Sequence, residues 1–294
     1  MTVVLTDDEI ASYWNDGYVF VPNALSSVQL DALRTDFATW VDESRAHDAP
    51  YGETADGRAR FDLQSSHSPD QPALRRVASP VDVSNAYLEA MRDNRGLDAV
   101  AQLIGPNVEF NNSKINAKHP GTATEVKYHQ DFMFQPHTNE DLIACLFFLD
   151  DVTLENGPLT VVPGSHTGPL FDHWHDGVYT GTVAPEVEAA YIDHAIPVHG
   201  PAGSACLMHT RLLHGSGPNQ SDEPRTLFIS EYRAEDSKPL QVNHLPSPFD
   251  GEVVRGERTN RVRCSTYEME YPEVPTGASF FEQQDKDSRT RRAM

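Results

Sequence analysis

Residues 107–233 carry a series of short apolar segments that alternate with turn residues, and this pattern constrains the fold more than any other feature. The segments that we predict to be β-strands are 107–117, 124–129, 142–150, 158–162, 191–198, 203–208 and 225–233. Short strands separated by Gly, Pro and Asn are typical of a β-sandwich or jelly roll. The segment from Ile143 to Leu149 is almost continuously apolar, as expected for a strand that is buried on both faces.

The chain before this β-rich region is predicted to be mostly helical. Thr6 and Glu9 form a capping-box pattern, and the serines at 26–27 mark the start of a second helix. A third helical region is predicted over 85–104. Residues 43–80 are polar, rich in Asp, Ser, Pro and Gly, and have no steady period, so we predict a long loop there. The chain is therefore expected to be mainly β with flanking helices.

The sequence shows no internal repeat and no convincing interdomain linker. We therefore predict one domain over 1–294. Its expected parts are a helix-rich N-terminal part, a jelly-roll core and a C-terminal extension, over 1–104, 105–235 and 236–294.

The acidic composition argues against nucleic acid or an anionic membrane surface as a partner, because the formal net charge is −21. The acidic N-terminus does not have the pattern of a signal peptide, and no apolar run approaches the roughly 20 residues of a membrane span. Three scattered cysteines without a Cys-x-x-Cys pair predict neither a disulfide framework nor a thiolate zinc site. We expect a cytoplasmic monomer or homodimer.

Two histidines and one aspartate form a candidate metal site. His129 and Asp131 are two residues apart, so on a strand their side chains would point to the same side. His214 follows the predicted strand at 203–208 after a short turn. Two histidines and a carboxylate are the facial ligand set of non-haem Fe(II) oxygenases, which leaves coordination positions open. A His-x-Asp pair alone also fits a surface turn, so the assignment depends on the surrounding sequence.

The surrounding sequence resembles the phytanoyl-CoA dioxygenase-like family of Fe(II)/2-oxoglutarate oxygenases. The resemblance spans residues 8–235, and its motifs are Tyr-His-Gln-Asp-Phe at 128–132, Asn-Gly-Pro-Leu-Thr-Val-Val-Pro-Gly-Ser-His at 156–166, and His-Gly-Ser-Gly-Pro-Asn at 214–219. It implies a double-stranded β-helix, the cupin-like jelly roll. It also implies Fe(II), 2-oxoglutarate as cosubstrate and O₂, and hydroxylation of an unactivated C–H of a small molecule, with succinate and CO₂ as coproducts.

The resemblance assigns roles to residues by position. The iron ligands of the family correspond to His129, Asp131 and His214. Halogenating relatives have Gly or Ala in place of the carboxylate ligand, so the presence of Asp131 favours hydroxylation, or another oxidation that begins with hydrogen abstraction, over halogenation.

Four further residues are expected to bind the cosubstrate. Arg225 corresponds to the arginine that holds the C5 carboxylate of 2-oxoglutarate, and Ser216 to a hydroxyl that assists it. Asn112 and Lys114 lie on one face of the predicted strand at 107–117. They resemble the inward-facing polar strand of the ectoine hydroxylase branch.

Candidates for substrate contacts follow the His-x-Asp motif or lie near the second histidine and the last core strand. They are Phe134, Gln135, His137, Arg211 and Arg233. An arginine that faces the pocket would suit a carboxylate, phosphonate or sulfonate, whereas a surface ion pair is the alternative in so acidic a chain. The segments 43–80 and 236–250 are expected to close over the site.

Three other interpretations of the motifs remain open at the level of sequence. A zinc hydrolase can use two histidines and a carboxylate, but it would need a general base and would have no use for Arg225. A metal-binding protein of the same fold without oxygenase activity would be expected to lack one of the three metal-ligating side chains, whereas all three are present here. A cupin isomerase or sugar-binding protein usually has more histidines on the metal.

Overall fold

The computed structural model describes residues 2–121, 124–273, 277, 279, 281, 283 and 284. Within these residues the helices are α1 (Asp7–Asp16), α2 (Ser27–Ser44), α3 (Asn85–Arg92), α4 (Arg95–Ile104) and α5 (Pro185–Tyr191). The strands are β1 (Tyr18–Val21), β2 (Tyr51–Glu53), β3 (Ala59–Leu63), β4 (Leu74–Ala78), β5 (Val108–Lys118), β6 (Val126–His129), β7 (Leu142–Phe148), β8 (Leu159–Val161), β9 (Trp174–His175), β10 (Val178–Tyr179), β11 (Ile196–Val198), β12 (Ala205–His209), β13 (His214–Ser216), β14 (Arg225–Ala234) and β15 (Val253–Arg255).

The first two helices begin where the sequence predicts. Thr6 caps α1 and forms a capping box with Glu9, and Ser26 caps α2 in the same way with Gln29. These caps satisfy backbone N–H groups that the first helical turn leaves without partners. The helical region predicted over 85–104 is divided into α3 and α4, because Asn94 leaves the helical conformation and caps α4.

Two antiparallel sheets build the β-core. The larger sheet has the strand order β1-β12-β7-β14-β5-β4-β3-β2, with β15 also paired to β5. The smaller sheet has the order β11-β8-β13-β6. This two-sheet arrangement confirms the prediction of a jelly-roll protein that is mainly β.

Strand β7 is buried on both faces, as its apolar sequence predicts. One set of alternating side chains packs between the two sheets with residues of β8 and β12, and it consists of Ala144, Leu146 and Phe148. The other set packs against the helices, and it consists of Ile143, Cys145 and Phe147. Burial of each large apolar side chain contributes about 1.5–3 kcal/mol, so the central strand anchors both layers.

The prediction of a long loop over 43–80 is wrong. Strands β2, β3 and β4 lie in this segment and extend the larger sheet, with Ala78 of β4 opposite Lys114 of β5. Their alternate positions carry charged side chains, among them Arg60, Asp62 and Arg76, which are nevertheless buried. Because these polar residues face the interior of the protein, the usual contrast between apolar inside and polar outside is lost from the sequence.

The predicted strand at 191–198 is shorter than expected. Residues 192–194 form a single helical turn after α5, and only Ile196–Val198 pairs with β8. None of the helices described is both long enough and apolar enough to cross a lipid bilayer.

The C-terminal part of the chain returns to the β-core. Strand β15 pairs with β5, and further on the backbone N–H and Nζ of Lys127 donate to Gln284 at 3.3 Å each. Between these points, the Arg75 guanidinium lies 4.7 Å from the ring centre of Phe281. The C-terminal segment thus contacts strands of both sheets.

Candidate active site

The two histidines of the predicted metal site face each other across neighbouring strands. His129 ends β6, His214 begins β13, and the two are paired in register with ring centres 4.2 Å apart. Asp131 begins the turn after β6, and its carboxylate oxygens lie 3.4 Å from Nε2 of His129 and 3.7 Å from Nε2 of His214. The three residues offer ligand atoms that all lie within 4.8 Å of one another.

Backbone carbonyls orient both imidazole rings. Nδ1 of His129 is 2.8 Å from the carbonyl of Lys127, and Nδ1 of His214 is 2.8 Å from that of Leu212. A ring that donates through Nδ1 presents the lone pair of Nε2, which is how histidine ligands are commonly held. Burial lowers the pKa of His214 to about 4, and His129 adds to this effect, so His214 is a neutral ligand at physiological pH.

The aspartate is held in its ionised form. Burial raises the pKa of Asp131, but the charge of Lys114 acts in the opposite direction together with the neighbouring histidines, and the pKa lies well below its ordinary value. Two imidazole nitrogens and one carboxylate oxygen on one side of a cavity fit Fe(II). These three side chains would hold the ion and leave its other positions toward the cavity.

A first cavity, with about 580 Å³ of empty volume, extends from the triad between the sheets. Its walls carry apolar side chains of both sheets, which are Leu146, Leu159, Met208, Leu227 and Ile229. Polar side chains line it along β5 and at the end away from the metal ligands, and these are Lys114, Asn116, Lys118, Thr124, Ser216 and Arg225. The cavity thus combines a metal-binding end, an apolar middle and a cationic end.

The cationic end is built by two buried basic residues. Arg225 donates through Nε and Nη2 to the carbonyl of Gly157, at 3.0 and 2.8 Å. Burial lowers the pKa of Arg225 only to about 10, so the guanidinium is charged at neutral pH. Nζ of Lys118 lies 2.7 Å from Oγ of Ser216. Burial lowers the pKa of Lys118 to about 6, and the charge of Arg225 contributes to this shift. An anionic group that binds here would offset the repulsion between the Arg225 guanidinium and a protonated Lys118.

Lys118 was not among the residues predicted from sequence. It lies on the same face of β5 as Lys114 and Asn116, and all three line the first cavity. The alternation that selected Lys114 also points to Lys118, but the predicted strand ended one residue too early. Asn112 lies further along β5, where its amide donates to Glu231 at 3.0 Å, and it lines neither of the two cavities at the triad.

A second cavity lies on another side of the triad and has about 360 Å³ of empty volume. It shares Lys114, His129 and Asp131 with the first cavity. Its other lining residues are Arg58, Arg76, Phe134, His244 and Ser279. Phe134 is thus the one predicted substrate contact that lines either cavity, and its ring centre is 5.6 Å from that of His129.

The two arginines predicted to contact substrate are held in ion pairs instead. Arg211 pairs with Glu140 at 2.5 Å. Arg233 pairs with Glu109 at 3.0 Å and with Asp250 at 2.9 Å. Neither arginine lines a cavity at the triad, so the ion-pair alternative describes them better.

Gln135 and His137 are buried beside the site without lining it. Oε1 of Gln135 accepts from the amide of Asn111 at 3.0 Å, and Nδ1 of His137 is 2.9 Å from the carbonyl of Gln135. Burial, with the charge of Arg233, lowers the pKa of His137 to about 3, so the ring is neutral at physiological pH. Both residues stabilise the chain that follows the His-x-Asp motif.

Arg58, Arg76 and His244 were missed because no motif connects them. They belong to the segments 43–80 and 236–250, which were expected to close over the site. The guanidinium of Arg58 donates to the carbonyl of His244 at 2.5 Å, so the two segments meet at the second cavity. Only this general expectation for the two segments could have pointed to these side chains.

Known proteins match this chain over most of its length. The family model described as phytanoyl-CoA dioxygenase matches residues 13–227. The probable alpha-ketoglutarate-dependent hypophosphite dioxygenase of Stutzerimonas stutzeri is 33% identical over 205 residues, which cover 68% of this chain and 71% of that protein. The L-proline trans-4-hydroxylase of Streptomyces griseoviridis is 27% identical over 267 residues, which cover 81% and 90%.

Solved structures show the same fold. The ectoine enzyme EctD of S. alaskensis with 2-oxoglutarate and 5-hydroxyectoine matches with a TM-score of 0.62 and 22% identity, over 84% of this chain and 80% of EctD. The alpha-ketoglutarate-dependent carbocyclase SnoK from nogalamycin biosynthesis matches with a TM-score of 0.61 and 22% identity, over 86% and 94%. The extent of the family match and the ligand set at the end of the cavity lead to one conclusion. The chain belongs to the phytanoyl-CoA dioxygenase family and is an Fe(II)- and 2-oxoglutarate-dependent dioxygenase that acts on a small molecule.

Proposed function

We propose that the triad holds Fe(II), that the first cavity holds 2-oxoglutarate, and that the substrate enters through the second cavity. The proposed iron ligands are His129, Asp131 and His214. The proposed contacts to the far carboxylate of the cosubstrate are Arg225, Lys118 and Ser216. On this proposal the enzyme hydroxylates a C–H, or an equivalent bond to hydrogen, in a small substrate.

The arrangement of charge along the first cavity carries this proposal. 2-Oxoglutarate is a five-carbon diacid with a chelating keto acid at one end, an apolar middle and a carboxylate at the other. The cavity has a metal-binding end, apolar walls and a cationic end in the same order. Arg225 and Lys118 would neutralise the carboxylate, and the hydroxyl of Ser216 would donate to it.

The residues of the chain supply position and a dry environment. Bound Fe(II), with 2-oxoglutarate and O₂, supplies the oxidising power that removes hydrogen from the substrate, and succinate and CO₂ are the coproducts. Apolar side chains of β7, β12 and β14 exclude water from the middle of the first cavity. The carbonyls of Lys127 and Leu212 keep both imidazole rings oriented.

The proposed setting of the reaction follows from the composition and the relatives. The relatives include a hypophosphite, a proline and an ectoine enzyme, which supports a compact polar substrate. We propose that the chain acts as one oxygenase domain, as a monomer or homodimer, in the cytoplasm. The net charge of −21 supports a function without nucleic acid or anionic membranes as partners.

Anaerobic binding of Fe(II) and then of 2-oxoglutarate tests the residue assignments, followed by succinate formation after O₂ is admitted. In His129→Ala we expect weak iron binding and no succinate. In Arg225→Leu we expect iron binding near that of the parent protein but an affinity for 2-oxoglutarate about 10- to 100-fold lower, as for loss of a charge-assisted hydrogen bond.

An exposed histidine provides the matched control. His194 lies in the turn after α5, and His194→Ala should bind iron and cosubstrate like the parent protein. The assignment would be wrong if His129→Ala kept the iron affinity of the His194→Ala control. The cosubstrate assignment would be wrong if Arg225→Leu bound 2-oxoglutarate as the parent protein does.

A further inference from the structure

The second cavity is lined by an unusual concentration of basic side chains. Arg58, Arg76 and Lys114 all border it, beside the triad. Arg76 is 3% exposed and Lys114 is 8% exposed, so these two cations lie inside the protein rather than at its surface. Buried cations are costly unless an anion compensates them. In a chain with a net charge of −21, three cations around one small cavity require a local explanation.

The described carboxylates that lie next to Arg58 and Arg76 do not line the cavity themselves. Asp62 pairs with Arg75 at 2.7 Å, although it also lies opposite Arg76 across β3 and β4. Asp56 pairs with Arg58 at 2.7 Å. Asp62 and Asp56 therefore lie beside basic residues at the edge of the cavity and leave its interior lined by the basic side chains.

Two other acidic side chains among the described residues lie close to this cavity. Glu231 lies 3.8 Å from Lys114 and accepts from the amide of Asn112 at 3.0 Å, and it does not line the cavity. Asp131 belongs to the metal site, where it would bind the ion. Among the described charged side chains that line the second cavity, Asp131 is thus the acidic one, against the three basic ones.

Two polar side chains in the same cavity lack hydrogen-bond partners among the described residues. They are His244, through Nδ1, and Ser279, through Oγ, with residue exposures of 8% and 3%. Both residues line the cavity. Burial holds the pKa of His244 well below its ordinary value, and the charges of Lys114 and Arg76 contribute, so the ring is neutral. Buried polar atoms of this kind usually have a partner, which indicates that a polar ligand completes them.

We propose that the second cavity binds a compact oxyanion through Arg76, Arg58 and Lys114, and that this oxyanion is the acid group of the substrate. The substrate is then a small acid that carries a carboxylate, phosphonate or phosphinate group. The inference rests on the proposed function, because it takes the triad as the reacting centre. Since the cavity shares His129 and Asp131 with the metal site, the bond to be oxidised lies close to the position of the iron.

Calorimetric binding of probe anions to the anaerobic Fe(II)–2-oxoglutarate complex tests this inference without turnover. The probes are acetate, methylphosphonate and hypophosphite, and acetamide is the neutral counterpart of acetate. Saturating 2-oxoglutarate occupies the first cavity, so anion binding there is excluded. We expect at least one anion to bind and acetamide to bind at least tenfold more weakly. The preferred probe distinguishes a planar carboxylate from a tetrahedral acid group.

Substitutions of Arg76 and one control substitution locate the bound anion. Arg76→Met should weaken anion binding by about 10- to 100-fold, as expected for loss of a charge-assisted hydrogen bond, and Arg76→Lys should recover part of the loss. Arg45, at the end of α2, forms an exposed pair with Asp42, so Arg45→Met should have no effect. Thermal unfolding of each variant checks that the fold is retained, and Ser279→Ala offers a milder change if Arg76→Met does not fold.

The possible results separate this inference from the function on which it rests. If the parent complex binds iron and 2-oxoglutarate but binds none of the anions, the inference is overturned and the proposed function stands. Binding that is equal for acetamide and acetate, or equal in Arg76→Met and Arg45→Met, also overturns it, because the anion would then lie elsewhere, for example on the iron. If iron or 2-oxoglutarate does not bind, the proposed function itself fails.

Discussion

Lys118 is the residue whose protonation is most closely connected to cosubstrate binding. Its Nζ lies between Oγ of Ser216 and the carbonyl of Gly217, close to the guanidinium of Arg225. Burial and that neighbouring charge lower the pKa of the lysine to about 6, so it is largely neutral at pH 7 to 8 in the absence of an anion. A carboxylate placed between the two basic groups would favour the charged lysine and raise its pKa.

The affinity for 2-oxoglutarate is therefore expected to decrease as the pH rises above about 6. The complex holds the protonated lysine, whereas the free protein loses that proton above its pKa, so binding takes up a proton. By linkage, the dissociation constant should rise by up to about tenfold per pH unit until the pKa of the complex is reached. Calorimetry in buffers of different ionisation enthalpy measures both the affinity and the proton uptake.

Substitution of the lysine provides the check on this pH dependence. Lys118→Met should bind 2-oxoglutarate more weakly at pH 6 and should lose the proton uptake. Lys238, which donates to Glu109 at 3.1 Å outside both cavities, is the matched control. In Lys238→Met, the affinity for 2-oxoglutarate should decrease with rising pH as it does in the parent protein. If the affinity of Lys118→Met for 2-oxoglutarate changed with pH as in the parent protein, Lys118 would not be the group that takes up the proton.

The individual site residues differ in how far the sequence could identify them. His129, Asp131 and His214 belong to a spaced motif, and Arg225 stands at a position that the family resemblance assigns, so a single sequence was sufficient to propose them. Arg76 carries no such signal, because its neighbours in sequence are not its neighbours at the cavity. Arg211 was predicted to contact substrate because it lies near His214 in the sequence, but it forms an ion pair with Glu140 instead. Nearness in sequence therefore did not identify the basic residues at the cavity.

At the scale of the elements, the turn before β8 positions the cationic end of the first cavity. The carbonyl of Gly157 accepts both hydrogen bonds from Arg225, and this glycine has φ of +78°. A Cβ on Gly157 would approach the carbonyl oxygen of Gly217 to 2.8 Å and Cδ of Lys118 to 2.9 Å. The turn thus contacts both basic residues of the proposed carboxylate site.

Gly157→Ala is expected to lower the affinity for 2-oxoglutarate by roughly tenfold, which corresponds to about 1.4 kcal/mol. The added methyl group would displace the turn from β13 and shift the guanidinium of Arg225. Iron binding should stay near that of the parent protein, because the triad lies at the other end of the cavity. Titration of Fe(II) into the anaerobic protein, followed by titration of 2-oxoglutarate into the Fe(II) complex, measures the two affinities.

The control must have the same backbone strain without the contact. Gly177, in the turn between β9 and β10, has φ of +75°, and a Cβ added to it would meet no other atom within 4 Å. Both alanine variants should lose about 1–2 kcal/mol of unfolding free energy from the left-handed backbone. If Gly177→Ala weakened 2-oxoglutarate binding as much as Gly157→Ala, the effect would come from general strain and not from the position of Arg225.

The elements that the sequence predicted poorly are those that line the second cavity. Short apolar segments between turn residues identified the regions of β5, β7 and β14, whose apolar side chains meet the core. Strands β3 and β4 have buried charged residues at alternate positions, so they resembled a loop. Polarity normally marks exposure, and here it marks the lining of a cavity, which the sequence alone could not distinguish.

At the scale of the whole molecule, the C-terminal segment returns to cover the site. Phe281 packs with Phe134 and Tyr179, and it lines the first cavity, while Ser279 lines the second. Its contact with Arg75 connects the segment to the strands that carry Arg76. Both cavities thus include residues from near the end of the chain.

Removal of this cover is expected to uncouple cosubstrate consumption from substrate oxidation. A chain that ends at Glu273 would admit water to the triad from the side where Phe281 now packs, and an active site of this kind depends on exclusion of water. Succinate formed without added substrate should increase several-fold relative to the parent protein. Iron binding should be retained, because the three ligands belong to the β-core.

The single substitution Phe281→Ala tests the same idea with less disturbance of the fold. It removes the ring from both the Phe134–Tyr179 cluster and the cavity wall, so it should reproduce part of the increase in uncoupled succinate. Phe249 packs on the helix side of the larger sheet, and Phe249→Ala is therefore the matched loss of a ring elsewhere. If the two variants give the same rate of uncoupled succinate formation, the C-terminal segment does not protect the site, because any loosening of the fold would then suffice. A rise confined to Phe281→Ala and the shortened chain would mean that a segment about 150 residues beyond the metal ligands His129 and Asp131 closes the reaction centre.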